Sequence, residues 1–397
     1  MPDLNDVVIL SAVRTAVGRF GGSLSRTPIE TLGAVCVQEA AKRAGVDVSD
    51  IQSAVVGNVI RTKSKDAYVS RVIAIEAGMG IESHAVTVNR LCGSGLEAIV
   101  NATQQIQTGE VKLAVAGGAE VMSQSTFSSA APRDGQRMGS LAFEDDLLAT
   151  LSDPFGAGHM GMTAEKVGEQ FDISREAQDA FAAESHRRAA HASENGYFKE
   201  QIVPVEVKRR RETVVFDTDE HFRADVTADG LAGLPPAFKK DGGTVTAGNA
   251  SGINDGASML VLADAAYAAE NGLQPMARIV GYARAGVEPS IMGTGPIPAV
   301  RKVLESTGLS LDDIDVIESN EAFAAQACAV SKELGFPAEK TNPNGGAVAL
   351  GHPVGATGAI ISTKALYELQ RINGRYALIT LCIGGGQGIA AIYERLT

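Results

Sequence analysis

The sequence predicts a layered α/β fold with a loop-rich insertion in its middle. Short apolar runs typical of buried strands alternate with helical patterns over residues 7–120 and again from residue 253 onward, and such alternation indicates sheets covered by helices. Residues 121–250 are instead richer in Ser, Asp, Arg and Pro, with broken periodicity. The two regular regions also resemble each other weakly in the order of strand, glycine-rich turn, helix and strand. We therefore expect an internal duplication interrupted by an insertion.

The first half opens with a strand and a helix whose ends are marked by the sequence. The β-branched run Val7–Ala12 predicts the strand. Thr27 is a good N-cap, Pro28 would occupy the first helical position, and Glu30 completes a capping box. Gly45 is expected to end this helix.

The remaining elements follow from the same patterns. In the first half we predict strands over 55–60, 85–88 and 113–116, with a helix over 93–107 that begins directly after Cys92. The insertion contains one convincing helix, from about 175 to 195. In the second half we predict helices near 298–306, 321–334 and 359–370 and strands near 314–318 and 376–382.

Charge and composition exclude several classes of partner. The 397-residue chain has 35 Lys and Arg against 47 Asp and Glu, a formal charge of −12, so it lacks the positive field that gathers nucleic acid or anionic lipid. Charged residues interrupt every apolar stretch well short of the roughly 20 residues of a membrane helix. We expect a soluble protein that binds neither nucleic acid nor membrane.

The N-terminus and the cysteines indicate a cytoplasmic location. Asp3 and Asp6 lie where a signal peptide would carry positive charge. The four cysteines, at positions 36, 92, 328 and 382, form no C-x-x-C pair and no dense disulfide framework. We expect free thiols in a reducing compartment, with Cys36 and Cys328 as core residues on apolar helix faces.

Cys92 is a candidate nucleophile. It lies at the mouth of a predicted helix, and the small residues Gly93, Ser94 and Gly95 that follow it would let a substrate approach the backbone closely. The N–H groups and positive dipole end of a helix favour a thiolate, which would lower the thiol pKa from about 8.5 toward neutrality. The alternative is a buried cysteine that only caps the helix.

Three further residues occupy turns suited to catalysis. His352 lies in a glycine-rich junction between strand and helix, where Ala356 replaces the lysine that a phosphate-binding loop requires; the alternative is a structural turn histidine. Cys382 precedes Gly384 at the end of a buried strand, where backbone N–H groups can form a nest for an oxyanion. Asn320 ends another strand and has the alternative role of capping the helix that follows.

Taken together, these blocks resemble the signatures of the thiolase family. They are Asn89-Arg-Leu-Cys92-Gly-Ser-Gly95, Asn320-Glu-Ala-Phe323, Gly351-His352-Pro-Val-Gly-Ala-Thr-Gly358 and Cys382-Ile-Gly-Gly-Gly-Gln-Gly388, in this order. The resemblance covers essentially the full chain and is strongest to bacterial acetyl-CoA acetyltransferases and broad 3-oxoacyl-CoA thiolases, or β-ketothiolases. It implies five alternating αβαβα layers made of two duplicated halves, residues 1–120 with 251–270 and residues 271–397. Residues 121–250 would be a loop domain for coenzyme A binding and oligomer contacts.

The resemblance also implies an activity. A thiolase cleaves a 3-oxoacyl-CoA such as acetoacetyl-CoA with coenzyme A, or runs the reverse Claisen condensation, through a ping-pong mechanism. Cys92 resembles the nucleophile that carries the acyl group, and Cys382 resembles the acid/base that moves protons. His352 would activate Cys92 and, with a water held by Asn320, form one oxyanion site. The backbone N–H groups of Cys92 and Gly384 would form the other.

The resemblance further implies the binding residues and the partners. His159, Met160, Ser251 and Phe323 match positions along the pantetheine channel, and Leu151 and Arg223 match positions near the nucleotide end of coenzyme A. Coenzyme A and acyl-CoA are then substrates and products, with no permanently bound cofactor. No ligand spacing for a metal is present in the sequence. A homo-oligomer is implied, a dimer doubled to a tetramer through a loop near residues 126–137.

Two other functions remain open at this point. A decarboxylating condensing enzyme of the ketoacyl-synthase type has a similar fold, but that chemistry is associated with two histidines around the nucleophile, whereas the second-half partner here is Cys382. A catalytically silent carrier of acyl-CoA or sterol would keep the fold without the chemistry. The four intact blocks argue against the carrier.

Overall fold

The computed structural model describes residues 5–209 and 212–396. Its strands are β1 Val7–Thr15, β2 Gly18–Arg19, β3 Ser53–Gly57, β4 His84–Val88, β5 Leu113–Val121, β6 Phe127–Ser128, β7 Glu144–Asp145, β8 Ser152–Asp153, β9 Gly158–His159, β10 Ile202–Val203, β11 Val205–Arg209, β12 Glu212–Phe216, β13 Asn254–Asp264, β14 Ala277–Gly286, β15 Val316–Ser319, β16 Tyr376–Ile383 and β17 Gln387–Arg395. Its helices are α1 Ile29–Ala44, α2 Val69–Ala77, α3 Ser94–Gln107, α4 Asp146–Thr150, α5 Met160–Gln170, α6 Arg175–Glu194, α7 Ala228–Ala232, α8 Ala265–Glu270, α9 Pro296–Thr307, α10 Ala324–Leu334, α11 Ala347–Leu350 and α12 Thr357–Ile372. Within the described ranges, none of these helices has the length and apolarity that crossing a membrane requires.

The two regular halves share one continuous path of paired strands. Its order is β15-β16-β17-β14-β1-β13-β5-β3-β4. The halves meet where β1 pairs with β14 through only two residue pairs, Val8 with Arg278 and Ile9 with Ala277. Each half therefore has its own set of strands, and the short pairing leaves the two sets free to lie in different layers.

The helices complete five layers, which confirms the predicted αβαβα fold with duplicated halves. Helices α1 and α2 cover the outer face of the first half, and α9 covers the outer face of the second. Helices α3 and α12 contact each other between the two sets of strands. Their side chains share one apolar core with strands of both halves, so burial of apolar surface at this central layer holds the two halves together.

Most elements lie within a few residues of their predicted positions, but the cap at the start of α1 differs from the prediction. Pro28, in extended conformation with ψ 145°, is the N-cap of α1, and no side chain caps the helix. The capping box predicted at Thr27 is therefore wrong. Glu30 is buried and instead accepts a hydrogen bond from Lys63 Nζ at 3.0 Å. Gly45 ends the helix as predicted, with φ 72°.

A buried ion pair fastens the 121–250 segment to the first half. Arg14, on β1, donates two hydrogen bonds to Asp219, of 2.7 and 2.9 Å, and both side chains are 1 % exposed. Asp219 also accepts from Val17 N, and Arg14 donates to Gln201. The guanidinium and the carboxylate thus balance each other's charge and hydrogen-bonding groups in a place that water cannot reach.

Replacing Asp219 should lower stability strongly. Asp219→Ala leaves the Arg14 guanidinium buried without its counter-charge, and stranding one partner of a buried pair costs about 3–5 kcal/mol. The measurement is the free energy of unfolding in urea. Asp217→Ala is the matched control, because Asp217 is exposed two residues earlier and surface changes usually stay within about 0.5 kcal/mol. Equal losses in both variants would contradict the importance of the pair.

Candidate active site

Cys92 lies in a tight turn that side chains hold in a strained form. The turn covers Leu91–Gly93, directly before α3. Leu91 has φ 47°, a left-handed conformation that costs a residue with a side chain roughly 1–2 kcal/mol. Leu91 N donates to Asn89 Oδ1 at 3.1 Å, and Ser94 Oγ accepts from Arg90 N at 2.9 Å while donating to Leu91 O at 2.7 Å. These bonds offset the strain and fix the direction of Cys92.

His352 lies in the corresponding loop of the second half, between α11 and α12. Its backbone N donates to Asn254 Oδ1 at 2.9 Å. On the ring, Nδ1 is 2.6 Å from Thr357 Oγ1, and Nε2 is 3.5 Å from Asn320 Nδ2. The imidazole is therefore held at its backbone and at one ring nitrogen, with the other nitrogen facing Asn320.

Two glycines allow the loops of the two halves to meet. A Cβ built on Gly95 would lie 2.7 Å from Ala359 N, and one on Gly358 would lie 2.3 Å from Leu96 N. Because no real Cβ fits at such distances, α3 and α12 approach backbone to backbone just past Cys92 and His352. The expectation that Gly95 admits a substrate is wrong, since the space beside it is occupied by α12.

A cavity of about 390 Å³ brings most of the predicted residues together. Eight of them line its wall: Cys92, Leu151, His159, Met160, Ser251, Phe323, His352 and Gly384. Cys92 is only partly buried and faces this cavity, which argues against the alternative of a cysteine that only caps a helix. The site is thus built from both halves and from the 121–250 segment.

Cys382 lies behind the cavity wall rather than on it. It is fully buried at the end of β16, in an apolar cluster with Met160, Met292 and Phe323, all of which line the cavity. Burial, with a smaller contribution from the nearby Cys92 sulfur, raises the pKa of Cys382 above its usual range. The two sulfur atoms are therefore close enough to interact electrostatically.

The charge state of Cys92 differs from the expectation. Burial raises the pKa of the Cys92 thiol to about 11, although the N–H groups of Gly384 and of Cys92 itself act in the opposite direction. The predicted lowering of this pKa is wrong, because loss of water outweighs the two N–H groups. Burial lowers the pKa of the His352 imidazole to about 4. At neutral pH the free protein holds an uncharged thiol together with an uncharged imidazole.

An aromatic stack forms one wall of the cavity. The His159 ring stacks on Phe238 with centroids 4.7 Å apart, and Phe238 meets Phe323 edge to face at 6.2 Å. His159 Nδ1 accepts a hydrogen bond from Gly161 N and so caps α5. Ser251 N donates to Ala322 O at 3.0 Å. These contacts leave a largely apolar slot beside the aromatic stack.

Besides Cys382, two further predicted residues lie elsewhere than the cavity wall. Asn320 is buried beside His352, and α10 begins only at Ala324 with Phe323 as its N-cap. The alternative that Asn320 caps this helix is therefore wrong. Arg223 is not among the residues around the cavity in the described ranges, and its backbone N donates to His186 Nδ1.

Three residues around the site were given no role by the sequence analysis. Thr357 and Asn254 hold His352, and Glu120 accepts hydrogen bonds from the backbone of Val59, Ile60 and Gly355. Glu120 and Thr357 both occur inside glycine-rich blocks, which is the only signal that the sequence offers for them. No group of three or more potential metal ligands occurs in residues 5–209 and 212–396.

Comparison with known proteins places this site in a family. Residues 7–266 match the family model "Thiolase, N-terminal domain", and residues 273–395 match "Thiolase, C-terminal domain". Beta-ketothiolase BktB of Cupriavidus necator is 55 % identical over 391 residues, which are 98 % of this chain and 99 % of that protein. The acetyl-CoA acetyltransferase of Bacillus anthracis has a crystal structure that superposes with a TM-score of 0.97 at 47 % identity, over 100 % of both chains. Human mitochondrial 3-ketoacyl-CoA thiolase in complex with CoA superposes with a TM-score of 0.95 at 41 % identity, over 99 % of this chain and 98 % of that one.

Proposed function

The chain belongs to the thiolase family, and from that premise we propose that its acyl group is carried as a thioester on Cys92. As a thiolase it is an acyltransferase that cleaves a 3-oxoacyl-CoA with coenzyme A or runs the reverse condensation. The observation that carries the residue assignment is the convergence of Cys92, His352 and Gly384 on one cavity, with the Cys382 sulfur behind its wall.

In the first half-reaction Cys92 cleaves the carbon–carbon bond. Its proton passes to His352, and the sulfur adds to the 3-oxo carbon of the substrate to form a tetrahedral oxyanion. Collapse of this oxyanion breaks the bond between C2 and C3 and leaves the acyl group on Cys92. The departing C2 takes a proton from the Cys382 thiol, which releases acetyl-CoA.

In the second half-reaction coenzyme A removes the acyl group. The Cys382 thiolate accepts the proton of the coenzyme A thiol, whose sulfur adds to the acyl carbon. Collapse releases the shortened acyl-CoA, and Cys92 takes back its proton from His352. A thiolate suits this exchange because one thioester is converted into another at little cost in free energy, which an oxygen ester would not allow.

Negative charge develops at two places, and two sets of donors support it. The N–H groups of Cys92 and Gly384 both lie near the Cys92 sulfur, where the oxyanion of the thioester carbon forms. The protonated His352, with a water held by Asn320, would support the enolate oxygen of acetyl-CoA. Each donor in such a site is worth roughly 3–4 kcal/mol.

Replacing Asn320 should slow turnover. Asn320→Asp puts a carboxylate acceptor beside the enolate oxygen, so we expect kcat for acetoacetyl-CoA thiolysis to fall by about 10²–10³. Steady-state kinetics with acetoacetyl-CoA measures this. Asn271→Asp, an identical exchange at an exposed helix end, should leave kcat unchanged. An Asn320→Asp enzyme with wild-type kcat would remove Asn320 from the oxyanion site.

The slot beside the aromatic stack would hold the pantetheine arm of coenzyme A. His159, Met160, Ser251 and Phe323 line it, and Leu151 lies on the same wall. Nearly half of the residues that line the cavity belong to residues 121–250, which supports their assignment as the coenzyme A loop domain. The nucleotide would then extend outward toward Arg223.

The exposed apolar surface supports the proposal of a dimer of dimers. Strand β4 ends the path of paired strands, and beside it Ile81 is 79 % exposed. Elsewhere in the chain, β6 exposes Phe127, and the segment that follows β6 exposes Met138 and Phe143. Large exposed apolar patches mark protein interfaces.

We also propose a cytoplasmic location, because all four cysteines are free thiols and the reaction needs two of them reduced.

The acyl-enzyme itself is the test of this function. After mixing with a series of 3-oxoacyl-CoA esters of increasing chain length and quenching in acid, mass spectrometry of the peptide that contains Cys92 should find the corresponding acyl group. The rates along the series give the chain-length preference. Malonyl thioesters should be neither decarboxylated nor consumed. An unmodified Cys92 peptide during turnover would overturn the proposal.

A further inference from the structure

We propose that Thr357 is a positioning residue that fixes the protonation of His352, so that Nδ1 carries the ring proton and Nε2 remains free to accept the proton of Cys92. This inference rests on the proposed function, because it assigns the partner that prepares the base for the first step. The observation behind it is the chain of two short contacts that runs from the imidazole through one hydroxyl to a backbone carbonyl.

The hydroxyl of Thr357 has a single proton to donate. Its Oγ1 lies 2.9 Å from Pro353 O and 2.6 Å from His352 Nδ1. A carbonyl oxygen can only accept, so the contact with Pro353 O uses the hydroxyl proton, in addition to the N–H groups of Ala356 and Thr357 that this oxygen also accepts. The lone pair of Oγ1 then faces Nδ1, and the contact of 2.6 Å is a hydrogen bond only if Nδ1 carries a proton.

The opposite ring nitrogen agrees with this assignment. Nε2 lies 3.5 Å from Asn320 Nδ2, which is an amide donor. A protonated Nε2 would direct its hydrogen at another donor, whereas a bare Nε2 faces it with a lone pair. Because His352 is 5 % exposed, water cannot replace a lost partner at low cost. Each ring nitrogen therefore has a suitable hydrogen-bond partner only when Nδ1 carries the proton and Nε2 is bare.

The backbone around His352 leaves the ring little freedom to exchange its partners. The N–H of His352 is bound to Asn254, and Thr357 is the first residue of α12, whose backbone N also donates to Pro353 O. Thr357 is itself 2 % exposed. The hydroxyl, the carbonyl and the imidazole are thus fixed relative to one another before a substrate enters.

The position of the ring proton matters because His352 can accept the Cys92 proton in only one of its two neutral tautomers. With burial holding the pKa of His352 to about 4, the imidazole is neutral near pH 7 and has one bare nitrogen. If that nitrogen is Nε2, which lies on the side of the ring away from Thr357, it can accept the Cys92 proton. If it is Nδ1, the bare nitrogen faces Thr357 and the thiol has no acceptor. After proton transfer Nε2 becomes a donor, as the enolate oxygen requires.

The experiment compares three threonine variants with the wild type. Thr357→Val keeps the shape and removes the hydroxyl, and Thr357→Ser keeps the hydroxyl. Thr363→Val is the matched control, because Thr363 is also buried on α12 but its hydroxyl bonds to Ser258. The readouts are kcat and KM for acetoacetyl-CoA, and the rate at which iodoacetamide alkylates Cys92 from about pH 5 to about pH 8, followed on the Cys92 peptide by mass spectrometry.

We expect Thr357→Val to lower both kcat and the alkylation rate of Cys92 by about 10²-fold, the usual contribution of a general base, with KM little changed. Thr357→Ser should retain most of both rates, and Thr363→Val should behave as the wild type. A Thr357→Val protein with the wild-type alkylation profile would overturn the inference, as would equal losses in Thr357→Val and Thr363→Val. If Thr357→Val does not fold, the same losses are expected in Thr357→Ala. A wild-type enzyme that forms no acyl group on Cys92 would instead overturn the proposed function.

Discussion

Cys92→Ser should abolish turnover in both directions, with kcat reduced by at least about 10⁴. The hydroxyl of serine is far less acidic than a thiol, so the neutral His352 is too weak a base to ionise it. Any acyl group that did transfer would form an oxygen ester, which coenzyme A attacks slowly. Thiolysis of acetoacetyl-CoA and condensation of acetyl-CoA, measured under the same conditions, test both directions.

The control for this prediction is the same exchange at another cysteine. Cys328 is partly exposed on α10 and lines a separate pocket, so Cys328→Ser should keep the wild-type kcat. Circular dichroism and size-exclusion chromatography should find both variants folded and in the wild-type oligomeric state. Thiolysis by Cys92→Ser at more than background rate would exclude Cys92 as the nucleophile.

Cys382→Ala should separate the two halves of the reaction. Without the buried thiol no group is left to move a proton at the α-carbon, so condensation should fall by about 10²–10⁴, the range for general acid–base catalysis. Cys92 should still be acylated by acetyl-CoA, because coenzyme A can leave as a thiolate without the Cys382 proton, whereas a carbanion at the α-carbon cannot form without a base. Single-turnover mass spectrometry of the acetylated peptide measures acylation, and exchange of the methyl protons of acetyl-CoA with deuterated water measures proton transfer.

The expected pattern is retained acetylation with lost deuterium exchange. Cys36→Ala is a useful control, since Cys36 is fully buried in the core of the first half and its loss should affect stability while leaving exchange intact. Equal loss of acetylation and exchange in Cys382→Ala would show that the division of roles between the two sulfurs is wrong.

The fold was predictable because its signals are local. Alternating strands and helices, and glycines at the junctions, are read from a few neighbouring residues, so the α/β layers, the turns that hold Cys92 and His352 and the strand end that holds Cys382 follow from the sequence. The family blocks then supplied the five-layer arrangement. Eight of the eleven predicted site residues line one cavity in the structure, although their individual roles stay predictions.

Properties that depend on tertiary surroundings were not predictable in the same way. A helix N-terminus favours a thiolate at Cys92, but the opposing effect of burial depends on chain segments far away, including Gly384. The role of Thr357 depends on a contact of 2.6 Å with the imidazole of His352, five residues earlier. A threonine five residues after a histidine does not by itself predict such a hydrogen bond. At the start of α1 the local signals agree on a capping box, but Glu30 instead accepts a hydrogen bond from Lys63, which is 33 residues away in the chain.

The close approach of Gly95 and Gly358 has a consequence for how activity appears during synthesis of the chain. The proposed nucleophile, Cys92, is made early, but the proposed base, second sulfur and one oxyanion donor emerge only with the last fifty residues, and they reach Cys92 only when α12 docks against α3. A truncated or half-folded chain therefore carries an inert cysteine rather than a partly working one. Acyl transfer begins only when assembly is complete, so an incomplete molecule does not consume thioesters.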